Sequence, residues 1–167
     1  NTIIATNNFY PVSTNTSRAY GAVAPMLSPL GVWASMSTAG VTNTIDGGAG
    51  AYGHVTNYNI GVSNGFSINL VTGYATNLFA GWYRVGIGYS GVSVANSATV
   101  EMDIATNGTA SDALELVRIY DNPPRVAPHY VESILYFPAG TGISAQIKSS
   151  GAGGVTLFRQ YLNIGTP

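Results

Sequence analysis

The sequence predicts an all-β protein: an antiparallel jelly-roll sandwich of about nine or ten strands, preceded by an extended N-terminal arm. From residue 66 to residue 164, short stretches with alternating apolar residues are separated by turns that contain glycine. No stretch has the apolar period of a helix. Strand starts recur at roughly 10 to 15 residues without a helix between them, which favours antiparallel over parallel pairing.

Residues 1–30 are predicted to form the arm, and residues 31–167 the jelly-roll domain. The arm contains three prolines, each of which restricts its own φ angle and biases the preceding residue towards extended backbone. A disordered linker would be poorer in aromatic residues. We therefore expect the arm to lie on its own domain or on a neighbouring surface, through contacts that include Phe9, Tyr10 and Tyr20.

The first strands of the domain are expected at Val32–Ser37 and Val55–Ile60, with a glycine-rich loop at residues 40–53 between them. Phe66–Leu70 follows, and its alternation directs three apolar side chains to one side. The same period recurs at four apolar positions, which are Tyr83, Val85, Ile87 and Tyr89.

Val100–Ile104 is predicted as a strand in which Glu101 and Asp103 lie on the side opposite the apolar residues. Outward carboxylates of this kind are expected to be solvated. Four further strands are predicted by the same criteria, at Leu114–Tyr120, Tyr130–Phe137, Ile143–Ile147 and Val155–Ile164.

The composition bears on the class of function. Charged residues make up 8% of the chain and its net charge is −1, against about 25% charged residues in an average protein. Because burying charge is costly, a surface of small polar, aliphatic and aromatic residues suits a subunit interface, and we expect a homo-oligomer. The six basic residues are dispersed, so no nucleic-acid binding is expected. We also expect no membrane insertion, since no apolar run of about 18 residues occurs.

Two short motifs match patterns known from enzymes. Gly61–Gly65 fits G-x-S-x-G, and Gly86–Gly91 fits G-x-G-x-x-G, but both patterns require a helix to follow. An alternating strand follows the first, so we interpret it as a hairpin turn. For the second, we predict a bare strand face on which a backbone or an aromatic ring packs closely.

No catalytic, cofactor-binding or metal-binding residue is predicted, and the chain is not expected to be an enzyme. The acidic residues lack the spacing of a metal site, and cysteine is absent. His54 and His129 are single histidines beside apolar or aromatic residues, where a structural role is expected.

Three segments in order carry a resemblance to a known family: Ala80–Val85, the Asn107–Gly108 turn, and Phe137–Ile147. They resemble elements of the globular heads of the tumour-necrosis-factor and complement type, although Thr141 stands where that family usually has aspartate. The resemblance implies a jelly-roll sandwich that forms a homotrimer. It also implies a trimer interface containing aromatic residues, which we assign to Tyr136, Phe158 and Tyr161.

The low-charge, cysteine-free composition, rich in Asn, Thr, Gly and Ala, is also similar to that of tailed-bacteriophage virion proteins. This likeness implies a structural virion protein on the capsid surface, a trimeric decoration (cement) protein whose partner is the shell of the major capsid protein. The expected shell contacts are Phe9, Tyr10, Tyr20 and Trp33. An alternative is the receptor-binding or carbohydrate-binding head of a phage tail fibre, with exposed Tyr and Asn residues in loops 49–59 and 120–130.

Overall fold

The computed structural model describes residues 31–46, 48–93, 98–108, 119–121 and 128–167. These residues contain twelve β-strands and no helix, and therefore no helix long and apolar enough to cross a membrane. The strands are β1 (Trp33–Ser37), β2 (Asn43–Ile45), β3 (Gly53–His54), β4 (Ile60–Asn64), β5 (Phe66–Asn69), β6 (Tyr74–Asn77), β7 (Gly81–Ser93), β8 (Val100–Thr106), β9 (Ile119–Asp121), β10 (His129–Phe137), β11 (Gly142–Ser149) and β12 (Val155–Gly165).

The strands form two antiparallel sheets. Sheet 1 has the order β10-β7-β12-β1-β4, with β2 also paired to β12. Sheet 2 has the order β5-β6-β11-β8-β9, with β3 also paired to β11. The predicted all-β jelly-roll sandwich is thereby confirmed, with more strands than expected.

The core lies between the sheets and is built by strand alternation. Tyr83, Val85, Ile87 and Tyr89 are all buried, which confirms the period predicted for β7. Sheet 2 contributes Met102 and Ile104 from β8, which are likewise buried, together with apolar residues of β11. Each inward residue leaves its neighbours on the outer side of the sheet, so the core fixes which residues face away from it.

Several strand predictions in the first half of the domain were wrong. The expected loop at residues 40–53 contains β2, whose three residues pair with β12. The strand expected at 55–60 is largely irregular, because Asn57 has a left-handed φ of 57° and neighbouring N–H groups donate to different segments. Val55 donates to Ala145, whereas Tyr58 donates to Leu70. The short strand β6 had no prediction.

The turn at Gly61–Gly65 was expected to close a hairpin, and this interpretation was wrong. Gly65 has a φ of 78° and does join β4 to β5, but β4 pairs with β1 and β5 pairs with β6. The chain therefore passes from sheet 1 to sheet 2 at this turn. The Asn107–Gly108 turn has φ values of 52° and 83°, both in the left-handed region that a type I′ turn requires at its two central residues.

Candidate interaction surface

The outer side of sheet 1 carries a continuous set of exposed apolar side chains, here called the apolar face. Of the twelve large hydrophobic residues that are exposed in the described part of the chain, eight lie on this side. They are Trp33, Ile60, Val62, Trp82, Tyr130, Ile134, Tyr136 and Phe158. Exposed apolar patches of this extent on a soluble protein mark interaction surfaces.

The register of the strands arranges these residues in rows across the sheet. One row runs from Ile134 through Arg84 and Gly165 to Trp33. The next runs from Glu132 to Val62, with small residues between them, and a third runs from Tyr130 to Ile60. Apolar residues thus occur towards both edges of the sheet, while the middle of the second row consists of Gly86, Asn163 and Ser35.

Polar groups on the apolar face largely bond to one another. Arg84 Nη1 lies 3.1 Å from Glu132 Oε1, in an ion pair whose side chains are 56% and 41% exposed. Ser35 donates to Asn163 Oδ1 over 2.6 Å. An exposed ion pair contributes little to stability, and these two cross-strand pairs neutralise charge and hydrogen-bonding capacity that would otherwise disfavour a dry interface.

Glycine shapes the middle of the apolar face. Tyr130 lies across β7, and a methyl group on Gly86 would overlap its hydroxyl and stand 2.6 Å from its Cζ. A methyl group on Gly88 would stand 3.0 Å from Tyr130 Cδ2. The prediction that an aromatic ring packs on a bare strand face is therefore confirmed, and Gly86–Gly91 lies within strand β7, without the helix that the G-x-G-x-x-G pattern requires.

A groove separates Tyr130 from Trp33. Its volume is about 250 Å³. Its floor and walls come from four adjacent strands, β10, β7, β12 and β1, and include Gly86, Asn163 and Arg84. The groove is part of the apolar face.

The outer side of sheet 2 differs from the apolar face in that it carries buried carboxylates. Glu101 and Asp103 do lie opposite the apolar residues of β8, but they are 8% and 0% exposed, so the expectation that they are solvated was wrong. Glu101 lies 2.8 Å from Lys148 Nζ, its cross-strand partner, and accepts a hydrogen bond from Tyr52. Lys148 also stands 4.5 Å from the centre of the Tyr52 ring.

The remaining candidate residues form no recognisable catalytic or metal site. His54 contacts Ser144 Oγ and the Gly108 carbonyl oxygen, each at 3.2 Å. His129 stacks on Tyr89 with 5.1 Å between the ring centres. Ser63, the central residue of the G-x-S-x-G match, donates to the Phe66 carbonyl oxygen at the turn between sheets. Among the described residues, no group of three or more His, Cys, Asp or Glu side chains converges as metal ligands would.

The structure brings together four of the seven predicted contact residues. Trp33, Tyr136 and Phe158 lie on the apolar face, and Tyr161 occupies the row between Tyr130 and Ile60. Phe158 faces out at an irregularity where Leu157 pairs with Gly91 and Arg159 with Ser90. Phe9, Tyr10 and Tyr20 lie outside the described residues.

No interface role was predicted from the sequence for Ile60, Val62, Trp82 and Ile134. Tyr130 was included only in the tail-fibre alternative, at the end of loop 120–130. A signal for Tyr130 and Ile134 exists in β10, where apolar residues occur on both sides of the strand. Val131 and Leu135 face the core, and Tyr130 and Ile134 face outward. A strand that is apolar on both sides predicts burial on both sides.

Comparisons with known proteins agree with this architecture. No family model and no curated protein matches the sequence. Among solved structures, the chain is similar to Eiger TNF from S. frugiperda, with a TM-score of 0.53, 11% identity and coverage of 82% of this chain and 92% of that one. The chain is also similar to the globular domain of zebrafish complement 1qA protein, with a TM-score of 0.55, 11% identity and coverage of 81% of this chain and 96% of that one. For murine APRIL at pH 5.0, the TM-score is 0.52 and the identity 12%, and the match covers 82% of this chain and 99% of that one.

At these identities the likeness concerns the fold alone. It spans most of this chain and nearly the whole of each of the three solved domains. It agrees with the jelly-roll sandwich that the resemblance implied. The chain has a jelly-roll fold like that of these three solved domains.

Proposed function

We propose that this protein is a non-enzymatic head that assembles into a homotrimer through the apolar face. One observation carries the proposal: the eight exposed hydrophobic residues on the outer side of sheet 1. Covering apolar surface is favourable at roughly 25 cal/mol per Å², and a second copy of the same low-charge surface brings little repulsion. Tyr136, Phe158 and Tyr161 belong to this interface, as expected from the sequence.

Trp33 belongs to the same interface under this proposal, although the sequence analysis assigned it to the capsid. It borders the groove in the row that contains Arg84 and Ile134. A residue buried between subunits is not accessible to a capsid, so the shell contacts of the proposed trimer come from other residues. Of the residues named from the sequence, these are Phe9, Tyr10 and Tyr20.

The mass of the full-length protein in solution tests the assembly. Sedimentation equilibrium over a range of concentrations should give three times the chain mass of 17.3 kDa. A stable interface of ordinary size buries about 800 Å² on each partner, so the trimer should persist at micromolar concentration. A monomer at every concentration would contradict the proposal.

We further propose that the trimer binds the outer surface of a bacteriophage capsid and stabilises the shell as a decoration protein. Support comes from the scarcity of charge, 8% of residues, and from the aromatic residues of the predicted arm. Such a protein acts mechanically, by adding contacts where capsid subunits would otherwise separate, and it needs no catalytic group.

Capsid binding is tested by mixing the purified protein with undecorated shells of the parent phage and measuring co-sedimentation. The protein should bind shells, and binding should raise the temperature at which shells open. Deletion of Asn1–Leu27 should leave trimers that no longer bind, and retained binding would contradict the role of the arm. Adsorption to host cells or to a glycan array, without shell binding, would favour the tail-fibre alternative instead.

A further inference from the structure

We propose that the groove between Tyr130 and Trp33 receives the Trp82 side chain of a second copy of this chain. This inference rests on the proposed self-association, and it names the specific contact that holds the assembly together. Gly86 and Gly88 act as positioning residues, because they seat the Tyr130 ring that forms one wall of the groove.

The chemistry of the groove favours an apolar side chain over a free ligand. Its volume of about 250 Å³ is below the roughly 300 to 1,000 Å³ of typical small-molecule pockets. Two of its polar side chains, Ser35 and Asn163, hydrogen-bond to each other, and Arg84 pairs with Glu132. An aromatic ring can lie between Trp33 and Tyr130 without displacing these bonds.

The surroundings of the groove favour a second copy of the chain over another partner. A small occupant would leave the flanking residues Ile134 and Val62 in water, whereas a copy of the apolar face would cover them too. Arg84 and Glu132 form a charge pair within one chain, so two copies meet without a net like charge at this point. The groove is therefore continuous with the surface that the proposed trimer buries.

Trp82 is the most suitable occupant on the apolar face. It is 60% exposed, more than any other aromatic residue on that face, and it packs edge-to-face against Tyr136 with 5.6 Å between ring centres. That contact holds the ring upright on the sheet. Trp82 and the groove are distinct sites of one face, and in a trimer each copy would insert its Trp82 into the next, the heterologous type of contact that closes a ring.

Two single variants and their mixture test this contact. Gly86→Ala forces Tyr130 off its seat and removes a wall of the groove, while Trp82→Ala removes the inserted side chain. Each variant alone should associate about thirtyfold more weakly than the unmodified protein, the loss expected for a central interface residue. Mixed together, they should form two-chain complexes, because Gly86→Ala supplies Trp82 and Trp82→Ala supplies an intact groove.

Matched controls separate this effect from damage to the fold. Gly142→Ala adds a methyl group on sheet 2 at 3.4 Å from Tyr74, an ordinary contact, and should leave association unchanged. Gly81→Ala, on the same strand as Gly86, adds a methyl group 3.8 Å from the Tyr83 ring and should also associate normally. Far-ultraviolet circular dichroism should be the same for all variants, since Tyr130 is an exposed side chain that can move.

Fluorescence gives a second readout, because the chain has two tryptophans and both lie on the apolar face. Association should shift the tryptophan emission of the unmodified protein to shorter wavelength and protect both rings from acrylamide quenching. Unchanged association of Gly86→Ala and Trp82→Ala, or failure of their mixture to form complexes, would overturn the inference while leaving the trimer intact. A monomeric unmodified protein would instead contradict the proposed function itself.

Discussion

On the outer sides of the two sheets, some large apolar side chains are exposed and some polar side chains are buried, the reverse of what is usual in proteins. On sheet 1, apolar side chains such as Trp82 and Ile134 are 60% and 49% exposed, whereas on sheet 2 the polar Asp103 and Gln146 are fully buried. On sheet 2, the Glu101–Lys148 pair neutralises charge within the chain. Sheet 1 leaves apolar area uncovered in the described part of the chain. The difference supports the proposal that an assembly forms on the outer side of sheet 1.

The largest expected effect comes from placing charge on the apolar face. Ile134→Lys should reduce association by at least about a hundredfold, because the ammonium group would be desolvated in the interface. Val71→Lys is the matched control, since Val71 is 71% exposed at a turn outside that face, and it should associate normally. Sedimentation velocity measures both. Equal association of the two variants would show that the apolar face is not the interface.

On sheet 2, removal of a cation should instead affect the monomer. Lys148→Ala leaves Glu101 only 8% exposed without its cross-strand partner, and should lower the free energy of unfolding by about 2 kcal/mol. Arg84→Ala removes the exposed pair on sheet 1 and should cost less than about 0.5 kcal/mol. Urea unfolding at a protein concentration low enough for the chain to be dissociated measures both without a contribution from association. If Lys148→Ala and Arg84→Ala lowered the free energy of unfolding equally, the ion pair on sheet 2 would be no more important to the monomer than the exposed pair on sheet 1.

A smaller effect is expected on the inner side of sheet 1. Tyr83 donates a 2.6 Å hydrogen bond to the Phe79 carbonyl oxygen at the loop that leads into β7. Tyr83→Phe should lower the free energy of unfolding by about 1 kcal/mol, the usual contribution of one such bond. Urea unfolding of the dissociated protein is again the measurement, and a loss of zero would show that the bond does not form in solution.

The smallest effect at neutral pH is expected at Tyr58, whose buried hydroxyl has no hydrogen-bond partner within the described residues. Burial raises the pKa of this phenol above its usual 10.0. Because the unfolded chain then loses the proton first, the neutral phenol stabilises the folded chain below pH 10, and this contribution is lost as the pH rises further. Tyr58→Phe should be nearly neutral at pH 7 and should unfold less readily above pH 10. A steeper alkaline loss than in the parent protein would contradict the shift.

The sequence by itself determined the architecture wherever one side of a strand is buried. The alternation of Tyr83, Val85, Ile87 and Tyr89 could be satisfied only by a strand with one side in a core, and the glycines at turns marked its ends. It also predicted that Gly86 and Gly88 seat an aromatic ring, because two side chains are missing from the same side of one strand. Strand alternation also allowed Tyr136 and Phe158 to be assigned to an outer face from the sequence.

Only the tertiary structure decided where short or weakly patterned segments belong. β2 and β6 form because β12, β5 and β11 present open backbone to them, and their own three or four residues carry no decisive period. The turn after β4 connects sheet 1 to sheet 2, because β4 pairs with β1 and β5 pairs with β6. Strand pairing likewise decided that Glu101 and Asp103 are buried. It also placed Trp33, Trp82 and Tyr130 on one face. A single strand shows which of its sides is apolar, but only pairing register shows what stands beside it.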